Sequence, residues 1–307
     1  MVANDPLFDE NLNRYLQNLL GSLVNFFEVV SFMGDEIFFI VLFMIIYWAF
    51  NKKIALKIFS VLLLSTIINY TAKYYIWSPR PSATIWKVPE QQPGLPSGHA
   101  QASTVFWGVL TIEVKNGWIK RLLFIFVPIW IVLVSLSRLV LGVHFLGDVI
   151  VGFLIGLMIV IFYWRFSPRI EDKIRNLSFE KSILLVLLFT ILITGVFVTL
   201  IFFRYFYTEP VKFYSYTIGV SKLISIFVGV NLGYLLEEKY VKLENVTESV
   251  ARVKRVLLGS LVTVPILIPT KLIEELSDAY YYILLVITFH FLVGIFSTFF
   301  APYIINR

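Results

Sequence analysis

The chain contains a series of apolar runs, each about as long as a helix must be to cross a bilayer core, roughly 20 residues. Hydrophobic residues make up 58% of its 307 positions and charged residues only 15%, which is too little charge to cover a soluble domain of this size. The sequence therefore predicts an all-α integral membrane protein with about nine transmembrane helices. These lie at roughly 36–51, 54–77, 99–114, 121–138, 146–165, 183–206, 216–236, 256–273 and 280–304.

Most of the 26 lysines and arginines fall in alternate connections between these runs. Basic residues collect in cytoplasmic loops, so these connections are predicted to be cytoplasmic. We therefore expect a multi-pass protein of a prokaryotic cytoplasmic membrane, with its N-terminus outside and its C-terminus inside. The basic connections are 52–53, 115–121, 165–181 and 237–255, followed by the C-terminal Arg307.

Four regions follow from this pattern. The N-terminal segment, 1–35, lacks the positive start and short apolar core of a cleavable signal peptide, so we expect it to be retained. Its amphipathic run at 8–33 is predicted to lie along the membrane interface. A first group of spans occupies 36–165, a cytoplasmic loop 166–182, and an additional transmembrane region 183–307.

Two features of the composition exclude other classes of protein. The chain has no cysteine, which rules out disulfides, thiolate metal sites and cysteine nucleophiles. Its net charge of +6 is spread over short loops between apolar runs and forms no basic domain. The positive charge therefore indicates membrane topology, and no nucleic-acid partner is predicted.

Charged and polar residues gather where the outer ends of the predicted spans meet their connections. Ionisable groups are costly at a membrane boundary and usually mark function there. Charge placement and residue placement are independent, and both assign these residues to the outer face. They form three groups: Lys73, Arg80 and Pro81; Pro96, Ser97, Gly98 and His99; and Ser137, Arg138, His144 and Asp148.

The residue types in these groups suit a phosphate. Lys73, Arg80 and Arg138 can give charge-assisted hydrogen bonds to phosphate oxygens. His144 and Asp148 are four positions apart and share one face of a helix. The carboxylate can then hold one imidazole nitrogen and leave the other as a nucleophile or a base.

A second histidine opens the next helix. His99 follows Ser97 and Gly98 at a helix start, where unpaired backbone amides favour an anion. A histidine in this position can donate a proton to a leaving alcohol. The carboxylates at this face are too few for a two-metal site, so we expect no metal and no cofactor, with cationic side chains neutralising the phosphoryl group.

These groups resemble the three signature motifs of the type 2 phosphatidic acid phosphatase superfamily, in the order of the family. The resemblance covers 36–165, which it identifies as a catalytic phosphatase core, and it does not reach the last four spans. Membrane members commonly place two spans before the helix of the first motif. Here only 36–51 clearly spans, so 8–33 would replace the missing helix. The matching motifs are Lys73-x6-Arg80-Pro81, Pro96-Ser97-Gly98-His99 and Ser137-Arg138-x5-His144-x3-Asp148.

The resemblance also implies individual roles. His144 would attack phosphorus to form a phosphohistidine, and Asp148 would orient its ring. His99 would protonate the leaving group and later activate water. Ser137 would bond the phosphate or cap a helix end. The phosphate-binding residues would be Lys73, Arg80, Ser97, Gly98, Ser137 and Arg138.

The sequence supports a membrane lipid phosphate or lipid diphosphate phosphatase at the extracytoplasmic face. Two alternatives stay open: a lipid phosphotransferase using the same intermediate, and a non-enzymatic channel or transporter. The predicted partners are a lipid phosphate or prenyl diphosphate substrate and membrane lipids, and the sequence does not indicate an oligomeric state. Outside the motifs, Lys87 and Glu90 are predicted to be solvated loop residues, and His290 a hydrogen-bonded packing residue.

Overall fold

The computed structural model describes residues 6–206, 208–276 and 283–306. Every regular element within these ranges is a helix, as the sequence predicts. The α-helices are α1 (Asn11–Leu20), α2 (Val24–Phe32), α3 (Glu36–Ala49), α4 (Lys52–Ile76), α5 (Gly98–Glu113), α6 (Gly117–Val140), α7 (Leu146–Ile174), α8 (Phe179–Tyr205), α9 (Pro210–Tyr240), α10 (Ser249–Leu276), α11 (Ile283–Ile295) and α12 (Ala301–Ile305).

Length and apolar composition qualify six stretches of these helices as membrane spans. A seventh is possible if the bent pair formed by Asn11–Phe32 and Glu36–Ala49, with 49° between its parts, crosses as one unit. The predicted count of nine is therefore not confirmed. The six are Lys52–Ile76, Gly117–Val140, Leu146–Ile174, Phe179–Tyr205, Tyr216–Tyr240 and Ile283–Ile305.

Two predicted elements differ from the structure, and a third lies partly outside the described residues. Helix α5 has 16 residues, about 24 Å at 1.5 Å per residue, which is shorter than a bilayer core. Most of the predicted loop 166–182 is helical, because α7 continues through Pro168 to Ile174. The predicted span 280–304 begins outside the described residues, at 280–282.

The chain forms two compact units. Unit 1 comprises residues 1–40 and 64–167 and contains all three motifs. Within it, α1, α2 and α5 all pack against α6. Its interior is aromatic as well as aliphatic; the rings of Phe39 and Phe106, for example, lie 4.8 Å apart.

Unit 2 comprises residues 41–63 and 168–307. Helices α9 and α11 pack closely, since a Cβ atom at Gly294 would lie 2.6 Å from the backbone nitrogen of Val230. The end of α11 passes into a π-helical turn, Phe296–Phe300. In this region the Trp48 indole donates a hydrogen bond to the Ser297 carbonyl at 2.8 Å, and the Tyr47 hydroxyl donates to the Thr298 carbonyl at 3.1 Å.

Candidate active site

The site is built from helix ends in unit 1. Lys73 lies in the last turn of α4, and Arg138 in the last turn of α6. His99 lies in the first turn of α5, and Asp148 in the first turn of α7. Each helix therefore contributes the end nearest a motif connection, and the contacts below bring these ends together.

The third motif forms a histidine–carboxylate pair, as its spacing predicts. His144 Nδ1 lies 3.2 Å from Asp148 Oδ2, and both side chains are almost fully buried. The same carboxylate oxygen accepts the backbone N–H of Phe145 at 2.9 Å. This second bond fixes the carboxylate at the start of α7, so the imidazole is held by a rigid partner.

The opposite ring nitrogen of His144 faces Arg80, whose Nη1 lies 3.2 Å from Nε2. A guanidinium can only donate, so Nε2 must accept, and the ring proton lies on Nδ1 towards Asp148. The pKa of His144 is well below its usual value, mainly because the ring is buried and also because of the charges of Arg80 and Lys73. The imidazole is therefore neutral near pH 7, with its lone pair on Nε2.

The turn that carries His144 contacts both the loop at Ile85 and helix α1. Gly142 has φ +73°, and a Cβ atom there would lie 2.4 Å from the Ile85 carbonyl oxygen. Gln17 of α1 donates from Nε2 to the carbonyls of Ile85 and Val140 at 2.8 and 2.9 Å. Only glycine fits this left-handed and crowded position, so the turn holds His144 in place.

Glu90 bridges two of the predicted phosphate-binding arginines. Its Oε2 accepts from Arg80 Nη2 at 3.0 Å, and its Oε1 accepts from Arg138 Nη2. The prediction that Glu90 is a solvated loop residue is therefore wrong, although Lys87 is exposed as expected. The loop between the first two motifs folds back over the site, and this folding turns a loop carboxylate inward.

Lys73 and Arg80 also hold this loop through its carbonyls. Lys73 Nζ donates to the carbonyls of Pro93 and Gly94 at 2.6 and 3.3 Å. Arg80 Nε donates to the Gln92 carbonyl at 2.6 Å. Both cations therefore shape the loop that covers the site, in addition to any contact with a ligand.

The second motif is tied to the third through the backbone. The Ser97 N–H donates to the Asp148 carbonyl at 2.9 Å, and Ser97 precedes the first residue of α5, Gly98. His99, one residue further, lies within the field of Arg138 and Lys73. The structure therefore brings both histidines into one cluster of cations.

The hydroxyl of Ser137, a predicted phosphate-binding residue, is bonded within its own helix. It donates to the Val134 carbonyl at 2.6 Å and is fully buried. The two predicted roles are a phosphate contact and a helix cap, and this bond to a carbonyl three residues earlier in α6 is neither of them.

The N-terminal helices contribute residues that motif analysis missed. Asn13 of α1 is buried and donates from Nδ2 to the carbonyls of Leu139 and His144, both at 2.9 Å. Ser31 of α2 accepts from Arg138 Nη1 at 2.6 Å. The amphipathic pattern at 8–33 indicated helices but could not show that their polar residues hold the motif turns.

Three buried polar atoms of the motifs have no hydrogen-bond partner within the described residues: Ser97 Oγ, Arg138 Nε and Asp148 Oδ1. Buried polar groups are rarely left unpaired, and exceptions call for an explanation such as a bound ligand. The first two can donate to an anion. With Lys73 and Arg80 alongside, the site is suited to a phosphate group.

A cavity of about 260 Å³ adjoins this cluster. Arg80 and Glu90 line it from the motif side, and the indole rings of Trp77 and Trp86 contribute aromatic walls. No group of three His, Asp or Glu side chains in the described ranges is arranged to hold a metal ion. The remaining lining residues are Ser78, Pro79, Pro81, Gln91, Gln92 and Pro93.

Comparison with known families agrees with the motif geometry. Residues 54–172 match the PAP2 superfamily, the type 2 phosphatidic acid phosphatases. The chain belongs to this superfamily. Residues 221–307 match a second description, the transmembrane extension of PAP2 superfamily phosphatases. The C-terminal helices, to which the motif resemblance does not extend, thus have a counterpart in the same superfamily.

Individual relatives are distant. Sphingosine-1-phosphate phosphatase 1 of Rattus norvegicus is 26% identical over 159 residues, which is 50% of this chain and 37% of that protein. Glucose-6-phosphatase 3 of Homo sapiens is 26% identical over 189 residues, 53% of each chain. The crystal structure of a transmembrane PAP2 type phosphatidylglycerolphosphate phosphatase from Bacillus subtilis aligns with a TM-score of 0.47 and 23% identity, over 52% of this chain and 85% of that one. The chain thus spans about half or less of the curated relatives' length.

Proposed function

We propose that this protein is a membrane lipid phosphate or lipid diphosphate phosphatase that works through a phosphohistidine on His144. One observation carries the proposal: the His144 ring lies between Asp148 at Nδ1 and Arg80 at Nε2. The pair with Asp148 specifies the tautomer that a nucleophile needs. The neighbouring arginine supplies a cation where phosphate oxygens would lie.

In the first step the substrate phosphate binds to Arg80, Arg138 and Lys73, and Arg80 leaves Nε2 for a phosphate oxygen. Nε2 then attacks phosphorus, the N–P bond forms and the bond to the leaving oxygen breaks. The positive charge that develops on the ring is stabilised by the Asp148 carboxylate at Nδ1. The fixed cations stabilise the charge on the equatorial oxygens in the transition state.

His99 supplies and removes the proton. Protonated, it donates to the leaving alcohol, or to the leaving phosphate if the substrate is a diphosphate. Neutral after that transfer, it takes a proton from water, which attacks phosphorus and releases inorganic phosphate from His144. His99 then carries the proton needed for the next turnover, so the cycle closes without a metal ion.

The substrate class is proposed from the membrane helices and from the names of the relatives. Sphingosine-1-phosphate phosphatase and glucose-6-phosphatase are both named for phosphomonoester substrates. A site at the end of membrane-spanning helices suits a phosphate carried on a lipid. The charge pattern of the connections supports an extracytoplasmic site with the C-terminus in the cytoplasm. The membrane that we propose is a prokaryotic cytoplasmic membrane.

Phosphate release by purified protein in detergent and chelator tests this proposal. The panel comprises phosphatidic acid, phosphatidylglycerol phosphate, sphingosine 1-phosphate, undecaprenyl diphosphate and glucose 6-phosphate. We expect release from at least one lipid, and a loss of at least about 1,000-fold in His144→Ala. The matched control is His290→Ala, because His290 is buried in unit 2 and bonds to the Val286 carbonyl of its own helix at 2.7 Å.

Three outcomes would reject parts of the proposal. Turnover at the wild-type rate in His144→Ala would exclude His144 as the nucleophile. Activity that chelator abolishes and a divalent cation restores would exclude the metal-independent scheme. Phosphate appearing on an added alcohol instead of in solution would identify a phosphotransferase that uses the same intermediate.

A further inference from the structure

The Glu90 carboxylate takes the place between the arginines that an anion would take. Each of its two oxygens accepts from a different guanidinium, Arg80 Nη2 and Arg138 Nη2. The three side chains are largely removed from water, with relative exposures of 19% for Glu90, 6% for Arg80 and 3% for Arg138. Two oxygens of a phosphate could be held in the same way by the same two nitrogens.

The donor groups of Arg80 are nearly all occupied in this state. A guanidinium has five N–H groups. Those of Arg80 serve the Gln92 carbonyl, the Val143 carbonyl, His144 Nε2 and Glu90. Little donor capacity is left for an incoming phosphate unless one of these bonds breaks.

The contact with His144 Nε2 breaks in the proposed first step, and of the other three partners Glu90 is the one placed to leave. The Gln92 and Val143 carbonyls belong to the backbone that encloses the site, whereas Glu90 is a side chain that lines the cavity. Burial lowers the pKa of Arg80, and the charge of Glu90 opposes that effect. Two close guanidinium groups therefore need an anion between them, and in the absence of substrate Glu90 provides it.

We propose that Glu90 is a specificity-determining residue that occupies the phosphate position between Arg80 and Arg138, so that a doubly charged phosphate group displaces it and a singly charged one does not. The inference rests on the proposed function of the site. Exchanging one carboxylate for a monoanion, such as a phosphodiester, leaves the number of negative charges between the arginines unchanged. Exchanging it for a phosphomonoester dianion adds one charge to the same cations, and in a site shielded from water that charge favours binding.

Inhibition by two small anions tests this specificity. Inorganic phosphate and dimethyl phosphate, which carries a single charge, are compared as inhibitors of wild-type protein, Glu90→Gln and Glu28→Gln. Glu28 lies on an exposed position of α2, so Glu28→Gln makes the same charge change away from the arginines. The thermal shift that each anion produces in a His144→Ala background measures binding without turnover.

We expect the inhibition constant for phosphate to fall about tenfold or more in Glu90→Gln, with dimethyl phosphate becoming an inhibitor. Glu28→Gln should behave as wild type. If Glu90→Gln does not fold, Glu90→Asp is measured instead. It keeps the charge but is one methylene shorter, and we expect the same changes at smaller size.

An unchanged or higher inhibition constant for phosphate in the Glu90 variants would overturn the proposal. That result would show that Glu90 stays in place and positions Arg80 and Arg138 for phosphate binding. Failure of the proposed function gives a different pattern, because an inactive wild-type protein would still show the thermal shifts. Larger shifts in Glu90→Gln than in wild type would then support displacement of Glu90 without any phosphatase activity.

Discussion

The two units differ in how many of their buried polar atoms lack a hydrogen-bond partner. In the described part of the chain, eight buried side-chain polar atoms have no partner, and seven of them lie in unit 1. In unit 2 only Ser60 Oγ is such an atom among the described residues, and other buried groups have partners: Trp48 bonds to Ser297, Tyr47 to Thr298, and Glu237 to Lys52 at 2.8 Å. Unpaired polar groups cost stability. Three of the eight belong to the motif residues Ser97, Arg138 and Asp148, and the first two of these are donors that an anionic ligand would pair.

Glu237 of unit 2 and Glu90 of unit 1 are both paired with cations, but those cations have different roles. Glu237 is fully buried and bonds to Lys52 and to the backbone N–H of Leu243, so it fastens the end of α9. Glu90 holds two arginines that both belong to the motifs. Removing Glu237 should therefore affect folding alone, whereas changes around Glu90 should affect chemistry.

The largest expected effect is that of Asp148→Asn, which should lower kcat by about 10³- to 10⁴-fold, because an amide no longer stabilises the charged ring or its tautomer. Its melting temperature should stay the same or rise, since a buried carboxylate with one unpaired oxygen is removed. Single-turnover rates and thermal melts measure the two effects. Asp172→Asn, at an exposed position on α7, is the control. A large loss of both stability and activity would contradict this, because Asp148 would then stabilise the fold as Glu237 is expected to do.

Glu237→Gln should lower the free energy of unfolding by about 3 kcal/mol, because the partly buried Lys52 ammonium loses its one fully buried carboxylate partner. The folded fraction should keep wild-type kcat. The matched control is the neighbouring Glu238→Gln, which removes a more exposed partner of Lys52 and should cost less than about 1 kcal/mol. Chemical denaturation with activity assays on the folded fraction measures both quantities. A lower kcat in folded Glu237→Gln would contradict a purely structural role.

Asn13→Ala should cost about 2 kcal/mol, since the buried carbonyls of Leu139 and His144 each lose a donor. We also expect kcat to fall about tenfold, because the turn carrying His144 loosens. Asn11→Ala, on the exposed side of the same helix, serves as the control. If Asn13→Ala proved as active and stable as this control, the hydrogen bonds of Asn13 would not position the turn that carries His144.

The smallest effect concerns pH. His144 must be neutral to attack, and its lowered pKa moves its protonation below the usual 6.5. Above that range its lone pair is available in full, and it is lost only as the pH falls through the lowered pKa. We therefore expect kcat at saturating substrate to change less than about twofold between pH 7 and pH 6, where a histidine of ordinary pKa would lose about threefold. A midpoint at or above pH 6.5 in the kcat profile would contradict a neutral, buried nucleophile.

The sequence predicts the His144–Asp148 pair well because the two residues are close together in the chain. The i, i+4 spacing of His144 and Asp148 determines that they share a helix face, and the structure confirms their contact. Basic loops and apolar lengths likewise predict helices close to the observed ones. The roles of these residues stay predictions until the variants above are measured.

Other parts of the site depend on how distant segments fold together. A lone Glu90 beside Gln91 and Pro89 has the composition of a solvated loop, and nothing local shows that the loop turns back onto two arginines. Asn13 acquires its role only because α1 packs against the end of α6, more than a hundred positions away. The number of spans does not follow from run length for a related reason, since run length alone does not tell a crossing helix from a short packed one such as α5.

The hydrogen bonds of Gln17 and Asn13 also limit how far this chain can be shortened. Together they hold the carbonyls of Ile85, Val140, Leu139 and His144. A fragment that begins at residue 36 would contain every signature residue and yet leave these turns without their support. A fragment that keeps the support of these turns therefore has to include α1, and a boundary drawn from the motifs alone would fall too late in the chain.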